Sequence, residues 1–332
     1  MSELEEKFVS RSMPRYPSLD GWRGISILCV LAAHQLPLGL KFWKLNSMSA
    51  ALGMCLFFTL SGFLITSTLF YRSNIRHFLI RRFCRIIPLA WAFILIALPL
   101  VGAELNRYFP HFFFYANLPP FWLTHLTAHL WSVCVEMQFY IFIALLIGAL
   151  GQRGLMLLPA FCFAVTANRI WHGVPISIET YYRVDEILVG ACLALIYERR
   201  LGEKIPKFLG KINCYLLLLL LLISCHPQGS FLQYLRPYLA ATLVGATLYQ
   251  NNTRLGQLLT NRTLVYIATI SYALYVIHPI TIYGWLGSGD TIIRYSKRIL
   301  SFLICFTLAH LSTFYYEKHW ITWGKHLISQ SK

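Results

Sequence analysis

The chain has 332 residues, 57% of them hydrophobic and only 13% charged, with a mean hydropathy of +0.57. A soluble domain carries about a quarter charged residues, so composition excludes an ordinary soluble enzyme or binding module and predicts an integral membrane protein. The net charge of +16 reads as membrane topology and contact with anionic lipid, and calls for no nucleic-acid partner.

Bilayer hydrocarbon is about 30 Å thick and takes about 20 mostly apolar residues per helix. Stretches that meet this measure lie at 22–40, 48–71, 78–103, 130–150, 154–168, 181–198, 209–225, 234–250, 263–286 and 299–317. The expected fold is therefore all-α, a polytopic membrane protein of about ten transmembrane helices. Lys and Arg collect in short cytoplasmic loops. With both termini cytoplasmic, the inward segments hold most of the 29 basic residues, including Arg23, Arg81, Arg82, Arg85, Arg199 and Arg200. The first apolar run follows a polar, charged start without a small-residue cleavage site, so no cleavable signal is expected. The nine cysteines are scattered, with no C-x-x-C pair and no metal-ligand spacing. They read as packing residues, and no metal is expected. The domain reading is a cytoplasmic tail at 1–14, one membrane domain at 15–320 and a cytoplasmic tail at 321–332.

The first span opens with "LDGWRGISILCVLAAH", residues 19–34. Eleven residues separate Arg23 from His34, nearly whole turns at about 100° each, so both side chains share one helix face about 16 Å apart along the axis. That spacing puts Arg23 at the cytoplasmic surface and His34 near mid-membrane. A charged group at such depth costs about 2.5–3.5 kcal/mol. Two readings of His34 stay open: a neutral ring bonded to a neighbouring helix, or a group that does chemistry. Asp20 reads as an acidic residue ordering the first turn.

In "RHFLIRRFCRIIPLAW", residues 76–91, Arg81, Arg82 and Arg85 crowd the start of the third span. Topology alone is one reading. The other is an anion held at the membrane surface, because the planar guanidinium fork suits phosphate, with Pro88 loosening the backbone just beyond. Adding Arg23 makes a phosphate-sized cationic patch. The segment 111–125 is aromatic and proline-rich, suited to interface anchoring or to stacking on sugars.

"HLWSVCVEMQFYIF", residues 129–142, enters the membrane with Trp131 as an interface anchor and Glu136 about 8 Å deep, at a level that matches His34. A carboxylate and an imidazole at one depth can pair, each lowering the other's burial cost. The pair is either a structural ion pair or a unit in which Glu136 orients His34 as a general base. Further along, Asp185 and Glu186 either pair with Arg183, the favoured reading, or line an acceptor cleft, while His278, before Pro279, reads as a packing or kink residue and His310 as a packing residue.

Seven stretches, "YPSLDGWRGISILCVLAAH" (16–34), "FFTLSGFLIT" (57–66), "RRFCRIIPLAW" (81–91), "HLWSVCVEMQFY" (129–140), "YRVDEILVGACLA" (182–194), "ISYALYVIHP" (270–279) and "YYEKHW" (315–320), together resemble, in order, the motifs of the bacterial acyltransferase-3 family of membrane O-acyltransferases. The resemblance implies a multi-pass enzyme of the bacterial inner (plasma) membrane. It would use acyl-coenzyme A, by default acetyl-coenzyme A, as donor and a cell-surface glycan or glycosylated small molecule as acceptor. The resemblance implies that Arg23, His34, Arg82 and Arg85 are functionally required and matches Glu136 to the motif's glutamate; joined to the reading of the residues above, Arg23, Arg82 and Arg85, with Arg81 beside them, would hold the donor's phosphates, and His34 and Glu136 would be catalytic. Trp22 stands where the family has an aliphatic residue, and Met137 where many members have a second acid. Ser61 and Ser132 are candidate oxyanion donors. A transporter or flippase of an anionic lipid or glycolipid is the competing class, since intramembrane Arg, His and Glu also serve relays.

Overall fold

The computed structural model describes residues 16–71, 74–250 and 253–330. The predicted tail at 1–14 and the last two residues of the chain lie outside them. Among the described residues there are helices and no strand, as the composition predicts. The helices are α1 (Pro17–Gln35), α2 (Leu45–Tyr71), α3 (Ile75–Leu100), the short α4 (Tyr108–Phe112), α5 (Trp131–Leu150), α6 (Leu158–Trp171), α7 (Asp185–Tyr197), α8 (Lys204–Leu209), α9 (Cys214–Cys225), α10 (Leu232–Tyr249), α11 (Arg254–Leu259), α12 (Arg262–Thr269), α13 (Ser271–Ile277), α14 (Thr291–Ser296), α15 (Arg298–Leu311) and α16 (Lys318–Gln330). A single π-helical turn, Ser312–Glu317, joins the last two.

Each predicted apolar stretch contains helix. Among the described residues, four helical segments are long and apolar enough to cross a bilayer: Lys41–Tyr71, Ile75–Leu100, Ala128–Trp171 and Thr291–Gln330. Their outward faces carry exposed apolar side chains such as Leu95, Leu145, Phe163, Ile299 and Leu303, the surface that lipid covers.

Local chemistry sets the ends that matter for the site. Pro17 opens α1, where its missing N–H is no loss. The helix stops at Gln35 because Pro37 forces the preceding Leu36 into extended backbone, φ −113° and ψ 149°. The predicted stretch 22–40 is thus shortened, and His34 falls in the last turn of α1 instead of inside a longer span. α13 ends at Ile277, with His278 and Pro279 still in helical backbone that runs on into a 3-10 turn, and the stretch 263–286 is broken into α12, α13 and two short 3-10 turns. Asn74 caps α3 by accepting from His77 N at 3.0 Å.

The centre of the bundle is α2, which packs along both α1 and α7. Gly62 and Gly190 allow the second contact. A Cβ on Gly62 would meet the Ile187 carbonyl oxygen at 1.9 Å, and one on Gly190 the Thr59 carbonyl oxygen at 2.0 Å, so backbones approach as closely as small residues permit in membrane helices. Against α1, Ser26 Oγ donates to the Gly53 carbonyl at 2.7 Å. Trp22, the departure from the family pattern, is buried and donates from Nε1 to Thr247 Oγ1 at 3.0 Å, so α10 supplies the polar partner that an indole needs.

Candidate active site

The ends of α1, α2 and α13 and the segments 121–131 and 176–183 enclose a cavity of about 1100 Å³. His34, His125, His129, His278, Tyr275, Trp131, Phe121 and Arg183 are among its walls. Phe121 holds a left-handed φ of 60°, a strained conformation for a bulky residue. Of the aromatic segment 111–125, then, the stretch from Phe121 borders a cavity, while His111 is buried and bonds Thr127 at 2.9 Å.

His34 is exposed to this cavity, and its Nδ1 lies 2.9 Å from Nε2 of the buried His278. The rings meet edge to edge, with centroids 5.1 Å apart and planes 18° from parallel. Hydrogen bonding then assigns the protons. His278 Nδ1 lies 2.7 Å from the Tyr275 carbonyl oxygen, which can only accept, so Nδ1 bears the hydrogen. A neutral imidazole has one N–H, so His278 Nε2 accepts and His34 Nδ1 donates. What remains on His34 is the lone pair of Nε2, on a ring that borders the cavity. His129 packs edge-on against His278 at 5.3 Å. Asn46 secures the backbone beside His34, donating from Nδ2 to the carbonyls of Ala33 and Leu36 at 2.7 Å each.

Glu136 is elsewhere, which corrects the predicted His34–Glu136 pair. It lines a smaller cleft with Arg23, Arg82, Arg85, Ser61, Tyr140, Ser271 and Tyr272, and its Oε1 accepts from Tyr140 Oη at 2.6 Å. On α5 the positions Ser132, Glu136 and Tyr140 recur every fourth residue and share one face. Ser132 Oγ donates to Tyr275 Oη at 2.6 Å, whereas Glu136 lies level with Ser271. From Ser271 to His278 is seven residues, about 10 Å of helix rise. Two depths taken from opposite surfaces had matched only because α1 was drawn too long; Pro37 leaves His34 at the helix end, away from the carboxylate.

The arginine cleft is tight, with about 40 Å³ of open space. The Arg82 guanidinium lies over the Tyr140 ring at 5.6 Å and the Phe78 ring at 5.8 Å. Arg23 has Arg85, Asp20, Arg82 and Glu136 as charged neighbours. Tyr272 Oη donates to the Ile86 carbonyl at 2.6 Å, tying α13 to α3 beside the cleft. Arg81 is not among the residues lining it, because one position along a helix turns a side chain by about 100°. Ser61 lines the arginine cleft and Ser132 is bonded to Tyr275, so neither candidate oxyanion donor borders the histidine cavity.

Between the two lies a narrow void of about 10 Å³ lined by Arg23, Ser26, Ile27, Val30, Met54, Phe57, Ser271 and Tyr275. It shares Arg23, Phe57 and Ser271 with the arginine cleft and Val30, Met54 and Tyr275 with the histidine cavity. The face of α1 running from Arg23 through Val30 to His34 therefore borders one interrupted path. The shared face is the one read from the eleven-residue spacing. His278, which the sequence offers as a packing or kink residue, is instead the His34 partner, and nothing in the sequence beyond the four-residue recurrence on α5 marks Tyr275, Tyr140 or Asn46.

Elsewhere the acid-base pairing is richer than expected. Glu186 does pair with Arg183, at 3.2 Å, and also with Arg236, at 3.0 Å. Asp185 instead pairs with Arg169, another buried side chain. His310 Nδ1 lies 2.9 Å from Tyr266 Oη.

A family model described as an acyltransferase domain, of the acyltransferase-3 type, matches residues 16–323. The chain belongs to the acyltransferase-3 family. Among similar proteins are a putative peptidoglycan O-acetyltransferase, YrhL, of Bacillus subtilis, 27% identical over 309 residues, and the peptidoglycan O-acetyltransferase OatA of Listeria monocytogenes, 26% identical over 319 residues. Each match covers 79% of this chain and 48% of the relative. The putative O-acetyltransferase SACOL0978 of Staphylococcus aureus is 24% identical over 337 residues, covering 81% of this chain and 51% of its own length. The chain thus spans about half the length of these curated relatives. No solved structure matches. Family membership makes this a membrane protein of the acyltransferase class.

Proposed function

We propose that this acyltransferase-3 protein moves an acetyl group from acetyl-coenzyme A to a hydroxyl of a cell-wall glycan. The observation that carries the reading is the lone pair of His34 Nε2, left free by the His278 bond on the wall of a cavity of about 1100 Å³. The glycan enters this cavity, where Phe121, His125 and Trp131 offer flat faces to sugar rings. The donor approaches from the arginine end. Arg23, Arg82 and Arg85 hold its phosphates, Glu136 and Tyr140 keep Arg82 in place, and the pantetheine arm follows the path past Val30, Met54 and Tyr275. Because the cleft and void are narrow, donor binding opens them.

In the reaction His34 Nε2 takes the proton of the acceptor hydroxyl as its oxygen attacks the thioester carbonyl. The C–S bond breaks, an ester forms, and the imidazolium returns the proton to the coenzyme thiolate. His278 keeps the His34 Nδ1 hydrogen in place throughout. The membrane reading is completed by about ten crossings with both termini cytoplasmic, in a bacterial plasma membrane, so that the donor arrives from inside and the glycan from outside. The two peptidoglycan O-acetyltransferase relatives support an acetyl donor and a cell-wall glycan.

The test is acetyl-coenzyme A added to the purified full chain in nanodiscs with soluble glycan strands, following free thiol and ester together. Both should appear in equal amounts in the wild type and neither with His34→Ala. Ester formation that persists in His34→Ala would refute the assignment.

A further inference from the structure

We infer that the histidine cavity contains a binding point for a carboxylate on the acceptor, formed by Arg183. The inference rests on the proposed reading that a glycan occupies this cavity. Three guanidiniums, from Arg169, Arg183 and Arg236, meet two carboxylates, from Asp185 and Glu186, at a buried cluster. Asp185 is taken by Arg169 and Glu186 is shared between Arg183 and Arg236, so one positive charge is left over. Burying an uncompensated charge is unfavourable unless something pairs with it.

The surplus falls on Arg183. Its Nη1 has no hydrogen-bond partner among the described residues, its guanidinium lies over the Trp131 ring at 5.1 Å, and it is the member of the three that borders the cavity. At 2% exposure its charge is withdrawn from bulk water, and the cavity is the open space it borders. No Asp or Glu is among the cavity's lining residues; Glu179 bonds the lining Ser177 at 3.3 Å without bordering the space itself. An entering carboxylate meets a cation and imidazoles with no fixed negative charge opposite it. A guanidinium edge paired with a carboxylate is the strong, directional form of hydrogen bond, so Arg183 selects acidic sugars over neutral ones and fixes which hydroxyl faces His34.

The cluster also makes the test tractable. Removing Arg183 leaves Arg236 with Glu186 and Arg169 with Asp185, a neutral set, so Arg183→Gln gives up the Glu186 and Trp131 contacts of Arg183 together with its surplus charge and is expected to fold. The probes are an oligogalacturonate and its methyl ester, titrated against the full chain in nanodiscs and also offered as acceptors with acetyl-coenzyme A. Wild type should bind the acid at least about tenfold more tightly than the ester, the scale of a charge-assisted hydrogen bond. Arg183→Gln should bring the two within about twofold, and Arg183→Lys should restore part of the preference. Equal binding of acid and ester by wild type overturns the site without any variant, even if Arg183→Gln fails to fold. An equal loss for both probes in Arg183→Gln also overturns it, as a structural effect. Arg183-dependent binding with no thiol release would leave the site standing and remove the transfer reading; transfer to acid and ester alike would do the reverse.

Discussion

At one end of the α1 face, histidines border a cavity of about 1100 Å³; at the other, three arginines and Glu136 close on about 40 Å³. The two ends place their chemistry differently. At the histidine end the proposed base is an exposed ring whose proton position is imposed from behind by buried His278, one residue past α13. At the arginine end the charges restrain one another, with Arg82 over Tyr140, Tyr140 on Glu136, and Glu136 among the charged neighbours of Arg23. A roomy site for a bulky, variable acceptor and a tight one for a constant anionic donor is the division of labour expected of a two-substrate transferase. Each end then predicts its own kinetic signature.

The largest expected effect is at the histidine end. His34→Ala should lower acetyl transfer by about 10²–10⁴-fold, the usual worth of a general base, with acetyl-coenzyme A binding unchanged by calorimetry. A large loss of donor binding instead would erase the distinction between the ends. Next, His278→Ala removes the acceptor that holds the His34 Nδ1 hydrogen and should lower kcat by about 10–100-fold, the usual loss when the group orienting an active imidazole is removed. Combining it with His34→Ala should add almost nothing, since the two act as a unit; full additivity would mean that the pair does not work together.

Arg82→Ala should raise the KM for acetyl-coenzyme A by about tenfold while kcat falls less, because a charge-assisted hydrogen bond is worth about 1.5–3 kcal/mol. A change in acceptor KM alone would put the donor at the wrong end. The smallest effect expected is for Asn46→Ala. It leaves the Ala33 and Leu36 carbonyls without their side-chain donor, so the thermal midpoint should fall by the equivalent of about 1–3 kcal/mol, with transfer reduced only a few-fold. An unchanged midpoint would show that the turn after α1 does not depend on this side chain.

The arginine end was readable because its parts are local: Arg82 and Arg85 lie within one turn of one helix, and Arg23 follows from the face it shares with His34. Glu136 was correctly singled out as a buried carboxylate but given the wrong partner. Depth counted in residues along separate helices cannot say which faces turn toward each other, and the stop at Pro37 moved one of the two ends. Asp185 was paired with Arg183, two residues away, when Arg169 on α6 was the partner. In each case a near or level neighbour was chosen over one that folding delivers from elsewhere in the chain.

The sequence by itself determined the membrane character, the helical class, the family and the shared Arg23–His34 face, because composition and the helical period act within one segment. Only the tertiary structure decided that His34 bonds His278, 244 positions away, that Glu136 sits with the arginines, and that Arg183 borders the cavity with a charge unmatched. Those are meetings between helices, set by close backbone packing at residues such as Gly62 and Gly190 and by the stop of α1 before Pro37. No single segment encodes them.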